Sequence, residues 1–317
     1  MSQTQHEMYP ELMSGARTEL ESSFGHLLDK VPLLAGRNEL SELSGGITNR
    51  NVKVSTPDRD YVVRISSNGS DLLSIDRDAE FKNSSIAADI GIGAKVFQYL
   101  PEHGLLVIDF IKGKTFDATD VSQNLERIAK SCRQLHSARP FVRDFDMFTI
   151  QQNYLGIVKE RGFKLPNGYQ DFEPQIQEMK AALAILDDGK VPCNNDLLPA
   201  NFIDDGNKVW IIDYEYSGNN DPCFELGNIW AEAKLSDNQL EELITHYYLL
   251  PRPEKVARAW LYALLARYGW TLWASIQDAI STIEFDFWSW GMEKFDQART
   301  DFTDEKFKIN LAAATNY

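Results

Sequence analysis

The sequence predicts an α+β protein of two lobes, a small N-terminal lobe built on an antiparallel sheet and a larger, mainly helical C-terminal lobe. Three observations carry this expectation. Between residues 39 and 66, and again between 96 and 111, apolar and β-branched residues fall in short runs separated by turn residues, the pattern of paired strands. Beyond Ile111 the apolar spacing becomes helical. Within that helical half one stretch, CNNDLLPANFIDDGNKVWIIDYEY at 193–216, reads as a hairpin and sets Asp196, Asn201, Asp213 and Glu215 around the apolar run Val-Trp-Ile-Ile.

Taken in order, residues 11–30 carry Leu12, Leu20, Phe24 and Leu27 at helical spacing and predict a leading helix. ELSELSGGITNRNVKVSTPDRDYVVRIS then reads as strand, Gly-Gly turn, strand, Pro-Asp turn, strand. RDAEFKNSSIAADIG is a helix stopped by Gly91, and VFQYL and LLVIDFI are two further strands. KGKTFDATD, short, polar and Gly-containing, reads as a linker that divides an N-terminal lobe at 1–111 from a C-terminal lobe at 112–317. Helices are expected over 120–138, 170–187, 236–250, 253–280 and about 289–300. In the hairpin the Asp-Gly pair suggests a two-residue turn between FI and KVWIID.

A chain of 317 residues is long for one core and comfortable for two lobes. With 43% hydrophobic and 25% charged residues, disordered and fibrous classes drop out. The net charge of −15 argues against a nucleic-acid partner, whose phosphates are gripped by basic surfaces. It suits a small cationic substrate, or serves solubility alone. Cys132, Cys193 and Cys223 lack the spacing of a disulfide framework or zinc site, and the five histidines lack metal spacing. The start of the chain is polar where a signal peptide is apolar, and no apolar run reaches the ~20 residues of a membrane span. A cytoplasmic location follows as the expectation.

A hairpin returns its two open ends to one place, so Asp213 is expected beside the loop holding Asp196. At ~3.3 Å per residue the drawn hairpin carries Asp213 about 1 nm past the pairing level of Asn201. Carboxylate and amide oxygens gathered this way are the donors that a hard ion such as Mg2+ takes, usually together with substrate phosphates. The spacing Asp196–Asn201 is D-x-x-x-x-N, the catalytic-loop arrangement of kinase-type phosphoryl transfer. In that scheme Asp196 orients the attacking hydroxyl and accepts its proton, while Asn201 and Asp213 hold magnesium. Glu215 stands ready as a second metal ligand or as a partner behind the first.

Other positions admit two readings. Gly45-Gly46 is a hairpin turn, or a turn whose backbone amides, with those of residues through Thr48 and Asn49, approach phosphate oxygens. Arg64, in the middle of YVVRIS, is a snorkelling edge-strand arginine, or a guanidinium shared between phosphate and Glu80. Asp109 and Ile111 lie where the chain passes between lobes, and their backbone is the candidate adenine contact. Trp270 and Trp273, three apart on one helical face, are core or part of an aromatic cage for an ammonium group. Asp221 and Glu225 read as structural carboxylates that accept backbone N–H groups of the catalytic loop. Glu232 taken alone reads as a solvated helix charge.

These motifs together resemble the choline/ethanolamine kinase family, within the aminoglycoside-phosphotransferase group that shares the protein-kinase-like fold. The resemblance spans nearly the whole chain: LSGGITN at 43–49 for the phosphate-covering turn, VVRI at 62–65 for the basic third strand, IDRDAEF at 75–81 for the helix whose Glu pairs with that base, and CNNDLLPANFI for the catalytic loop. VWIIDYEY and NDPCFELGN resemble the metal strand and the segment after it, and YGWTLWASIQDAISTIEFDFWSW the C-terminal helix with two tryptophans. Two positions depart from the pattern. Asn194 stands where the family has His, and Tyr214 where relatives have Trp or Phe.

The resemblance implies an ATP- and Mg2+-dependent kinase of a small cationic alcohol, choline first. Asp196 is then catalytic, Asn201 and Asp213 are metal ligands, and Gly45, Gly46, Thr48, Asn49, Arg64, Glu80, Asp109 and Ile111 serve the nucleotide. Glu215, Glu232, Trp270 and Trp273 form the substrate side. Competing readings are a kinase of ethanolamine, thiamine or an aminoglycoside, a nucleotide-binding pseudokinase prompted by Asn194 and Arg64, and a paired-carboxylate hydrolase that works without ATP. The oligomeric state stays open, a homodimer included.

Overall fold

The computed structural model describes residues 19–43, 48–66 and 70–316. Its chain divides into two compact units, one within Met1–Asn68 together with Ala94–Ile111, the other Gly69–Gly93 together with Lys112–Tyr317. The chain thus passes between units near 68 and 93 as well as at the expected 111. Segment 70–93 belongs with the second unit because it is hydrogen-bonded there: Asn83 Nδ2 donates to the Ser217 hydroxyl oxygen at 3.0 Å, and the Ile92 backbone carbonyl accepts from Ile211 N–H at 3.1 Å.

The first unit is a five-stranded antiparallel sheet formed by β1 (Glu39–Leu43), β2 (Asn49–Ser55), β3 (Asp60–Ser66), β4 (Val96–Leu100) and β5 (Leu105–Asp109), in the order β1-β2-β3-β5-β4. Alternation puts Val52, Val54, Val63, Ile65, Leu105 and Val107 on one buried face, where Leu20 and Leu28 of helix α1 (19–28) cover them. The Pro-Asp turn forms as read, with Thr56 N–H donating to the Arg59 carbonyl at 2.9 Å. The expected Gly45-Gly46 turn lies outside the described residues.

The second unit is mainly helical. Helix α2 (Arg77–Asp89) is capped by Asp76, and the chain turns away at Gly91, whose φ is +72°. Next come α3 (Ala118–Gln123), α4 (Leu125–His136), α5 (Met147–Arg161), α6 (Glu173–Leu183), α7 (Pro222–Glu232), α8 (Asp237–Tyr248), α9 (Pro253–Ile280), α10 (Phe287–Thr303) and α11 (Glu305–Ala313). The 28-residue α9 is apolar around most of its circumference, so it is enclosed, with α5, α7, α10 and α11 packed on it. Its Arg267 is tolerated there because Asp301 pairs with it at 2.7 Å. No helix among the described residues is long and apolar enough to cross a membrane.

Two small antiparallel ladders complete the unit. Strand β7 (Val191–Cys193) pairs with β10 (Gly218–Asn220), and β8 (Phe202–Asp204) pairs with β9 (Val209–Ile211) and with β6 (Lys114–Thr115). The stretch read as a bare linker therefore holds a strand, since Lys114 and Thr115 face Asp204 and Ile203.

The hairpin differs from the two-residue turn expected. Asp204 pairs with Val209, which leaves a four-residue loop at 205–208. The Asp205 carboxylate organises that loop, accepting from the N–H groups of Asn207 at 2.8 Å and Lys208 at 2.9 Å and from Trp210 Nε1 at 2.8 Å. These donors hold its carboxyl at about 2, below the usual carboxylate range. A folded value below the unfolded one adds stability above pH ~4, and this is lost as pH falls through about 2. Asp205→Ala is therefore expected to lower the Tm at pH 7, with the gap to wild type narrowing between pH 4 and pH 3. A gap that stays constant with pH would refute this.

Candidate active site

The two ladders of the second unit decide where the polar residues meet. The loop 194–201 leaves β7 and enters β8, while the loop 212–217 leaves β9 and enters β10. Each ladder pairs one end of the first loop with one end of the second, so the loops lie side by side. The shorter hairpin register puts Asn201 opposite Ile212, whose N–H donates to the Asn201 carbonyl at 3.0 Å. Asp213 thus stands one residue past Asn201, rather than the nanometre that a two-residue turn implied.

Backbone strain accompanies this geometry. Asn195 and Asp213 have φ of +69° and +61°, a left-handed conformation that Asn and Asp tolerate better than most residues. Asn195 is fully buried and tied by its amide Nδ2 to the Tyr216 carbonyl at 3.1 Å, while its Oδ1 accepts from Asn220 Nδ2 at 2.9 Å. Such conformations persist where surrounding contacts over-determine them.

Glu225, fully buried on α7, is the main clamp. Its Oε2 accepts from Asn195 N–H at 2.7 Å and its Oε1 from Asn194 N–H at 3.1 Å, with His136 Nε2 3.2 Å from the same oxygen. This matches the structural role read for Glu225. Asp221 instead caps α7 through Cys223 N–H at 2.8 Å and pairs with buried Arg258. His136, given no role from sequence, Cys193 and Glu225 place potential ligand atoms within 4.8 Å of one another. With both Glu225 oxygens engaged and burial pushing the Cys193 thiol well above its usual range, the cluster is a hydrogen-bonded brace for the loop.

Asn194 ties the loop to neighbouring backbone. Its Nδ2 donates to the carbonyls of Asp213 at 2.7 Å and Ile212 at 3.1 Å, and its Oδ1 accepts from Asp196 N–H at 3.1 Å. One amide thus fastens the Asp196 loop to the Asp213 loop. Asn201 Nδ2 donates to the Asp196 carbonyl at 2.7 Å, which turns the amide oxygen, a hard donor, to the opposite side.

Carboxylates accumulate here. Burial pushes the Asp196 carboxyl well above its usual range, helped by the negative charges of Asp213, Glu215 and Glu232 and opposed by Lys294. Glu215 is partnered by Arg77 at 3.2 Å, and Arg77 also holds Glu80 at 2.9 Å, so Glu215 sits as an outer partner linked to α2. A site so rich in acidic oxygen favours a bound cation. The donor set, a carboxylate and an amide oxygen fixed by backbone bonds, fits Mg2+.

The aromatic side adjoins the acidic loop through Tyr216. Trp273 Nε1 donates to the Tyr216 hydroxyl at 2.7 Å, and the Trp270 ring meets Tyr216 edge-on with centroids 5.0 Å apart. Trp290 and Phe287 of α10 extend this wall, at 5.6 and 5.8 Å from Trp273. Lys294, one turn on from Trp290, places its Nζ 4.2 Å from the Trp290 centroid and 2.6 Å from Glu232 Oε1. Sequence reasoning named Trp270, Trp273 and Glu232 and did not name Tyr216, Arg77, Trp290 and Lys294, which the structure places in contact with the named residues or with Glu215. The i, i+4 spacing of Trp290 and Lys294 was a local signal for one pair of these.

The first unit holds the remaining sequence candidates. Arg64 is buried on β3 opposite Asn51 and Leu106, which excludes an exposed snorkelling side chain. Thr48 and Asn49 are buried at the start of β2. Asp109 spends its N–H on the Lys95 carbonyl at 2.8 Å and its carboxylate lies 3.5 Å from Arg59, while Ile111 lies past the last ladder pair. Gly45 and Gly46 lie outside the described residues. Arg64 and Glu80 fall in different units, and within its own Glu80 is held by Arg77.

Comparison with known proteins bears on the family and the fold. The choline/ethanolamine kinase family matches residues 40–260. The chain is similar to ethanolamine kinase 2 of Mus musculus, 28% identical over 285 residues that cover 80% of this chain and 73% of that one. Among solved structures it resembles a choline/ethanolamine kinase family protein from Mesorhizobium loti, with a TM-score of 0.82 and 29% identity over 93% of this chain and 99% of that one. It also resembles the choline kinase LicA from Streptococcus pneumoniae, with a TM-score of 0.78 and 25% identity over 89% and 99%. The protein-kinase-like fold, the D-x-x-x-x-N loop and the extent of these matches lead to one assignment: the chain belongs to the choline/ethanolamine kinase family, phosphotransferases that take an alcohol as acceptor.

Proposed function

We propose that this protein transfers the γ-phosphoryl group of ATP to the hydroxyl of choline in a Mg2+-dependent reaction. The observation that carries the reading is the junction at Tyr216, where the loop bearing Asp213 and Glu215 meets the face of α9 bearing Trp270 and Trp273. A reactive hydroxyl two carbons from an ammonium group needs such neighbours, acidic oxygen at one end and aromatic faces at the other.

In this reading Asp196 accepts a hydrogen bond from the choline hydroxyl and takes its proton as the new O–P bond forms. The bond from phosphorus to the bridging β–γ oxygen breaks, and ADP leaves with that electron pair. Magnesium, when bound, draws charge off the phosphate oxygens. Asn201 and Asp213 are the side chains that would hold it, and Glu215, steadied by Arg77, stands behind them. The nucleotide contacts come from Arg64 toward phosphate, from backbone amides at Gly45, Gly46, Thr48 and Asn49, and from the backbone of Asp109 to Ile111 toward adenine. Trp270 and Trp273 attract the trimethylammonium group, each ring contributing ~0.5–2 kcal/mol.

The test is to incubate the protein with ATP, Mg2+ and a panel of alcohols (choline, ethanolamine, thiamine, an aminoglycoside) and follow the phosphorylated product by mass. Choline is expected to be the preferred acceptor, with no product when Mg2+ is chelated. Equal or better use of ethanolamine would reject the trimethylammonium reading. ATP binding with an inert panel would replace a kinase with a pseudokinase.

A further inference from the structure

The cation position beside the candidate site is already filled by the protein itself. Lys294 Nζ hydrogen-bonds Glu232 Oε1 at 2.6 Å and lies over the Trp290 ring at 4.2 Å. Both side chains are mostly shielded, at 12% and 14% exposure, so this is a buried pair joining α7 and α10, which both pack on α9, and not a loose surface bridge. Its chemistry is that of a primary ammonium bound by a carboxylate and an aromatic face. Trp290 in turn contacts Trp273, which contacts Tyr216, so the pair is continuous with the aromatic wall of the proposed head-group site.

We propose that Lys294 is a specificity-determining residue that steers the site toward a quaternary ammonium and away from a primary one. This rests on the function proposed above. Glu232 is linked to the aromatic wall through Lys294, which takes its Oε1 and offsets its charge. A head group bearing N–H donors, such as the ammonium of ethanolamine, then meets a carboxylate whose charge Lys294 has already paired, and its donors lose water for a weaker replacement. A trimethylammonium group has no N–H to satisfy, and spreads its charge over methyl groups that bind well to the faces of Trp270, Trp273 and Tyr216. Releasing Glu232 reverses the preference, because a charge-assisted hydrogen bond to a carboxylate becomes available to a primary ammonium alone.

The experiment titrates choline and ethanolamine separately into the full chain without ATP, following tryptophan fluorescence, and measures kcat/KM for both with ATP and Mg2+. For Lys294→Met the ethanolamine Kd is expected to tighten on the order of tenfold while that of choline moves less than about threefold, with the same shift in the kcat/KM ratio. Lys294→Arg restores the wild-type ratio by refilling the carboxylate. The double variant Lys294→Met, Glu232→Gln removes both charges, so it folds without a stranded ion and loses the gain for ethanolamine. A pair that only braced α7 on α10 would change stability and affect both alcohols alike. An unchanged ratio in Lys294→Met, or a gain for ethanolamine that survives Glu232→Gln, overturns the proposal. A shift in the Kd ratio without turnover of either alcohol upholds the role of Lys294 in head-group choice and defeats the kinase reading instead. Absence of binding by both alcohols to the wild-type chain defeats both.

Discussion

Asp196→Asn is expected to lower kcat by about 10²–10⁴-fold while leaving the Kd for the acceptor alcohol within about threefold. The split follows from what Asp196 does. In the proposed reaction its carboxylate only orients a hydroxyl and takes a proton, whereas head-group affinity is assigned to the aromatic wall around Trp270 and Trp273. The same change is expected to stabilise the metal-free protein at neutral pH. Burial and the charges of Asp213, Glu215 and Glu232 hold the wild-type carboxyl well above its usual range, so ionising it costs stability in the folded state. The sign is then fixed. The cost is absent below the unfolded value near pH ~4 and grows as pH rises toward and through the folded value, so the Tm advantage of Asn appears with rising pH. Single-turnover assays and thermal melts at pH 4 and pH 8 in chelator check both halves. A variant that keeps more than a tenth of wild-type kcat would remove Asp196 from the reaction, and a lower Tm at pH 8 would contradict the electrostatic account.

What was legible in the sequence follows the range of the interactions concerned. Helix α9 was read at its observed bounds because Pro253 opens it and Ile280 ends a long, mostly apolar stretch at helical spacing. The convergence of Asn201 and Asp213 was legible because a hairpin is a local object. Its loop length was not, since Asp205 draws Asn207, Lys208 and Trp210 onto its carboxylate and so replaces the tight Asp-Gly turn with four residues. Helices α5, α7 and α11 escaped notice, α7 for a different reason. Nearly every residue of α7 from Pro222 to Trp230 is buried, so PCFELGNIW has no polar face and no period to detect. The bridges Arg77–Glu215 and Lys294–Glu232 join residues 138 and 62 apart, and their existence depends on packing that no local pattern encodes. Asn194 is the converse case. Read as a departure from the family's His, it performs loop fastening with a single amide, donating to two carbonyls and accepting from Asp196 N–H.

Gly227→Ala is expected to cost at least ~3 kcal/mol of stability, because its added methyl has nowhere to go. Helix α7 crosses α9 at this residue, and a Cβ there would press on the Ala259 carbonyl oxygen inside van der Waals contact and lie 2.9 Å from the carbonyl carbon. The obstacle is backbone on a buried helix, so no side-chain rotation relieves it. If the chain accommodates the methyl at all, it must do so by moving α7 away from α9. That movement carries Glu225 off the N–H groups of Asn194 and Asn195 and shifts Glu232 relative to Lys294. Whatever fraction folds is therefore expected to lose kcat as well, which a simple loss of stability would not cause. Gly156 on α5 supplies the comparison, since a Cβ there meets nothing within 4 Å, and Gly156→Ala is expected to gain roughly 0.5–1 kcal/mol from helix propensity. Urea unfolding and kcat measured on both variants separate the two cases. A Gly227→Ala protein with wild-type midpoint and turnover would show that the α7–α9 crossing has room for a methyl, and that the clamp of Glu225 on loop 194–201 does not depend on it.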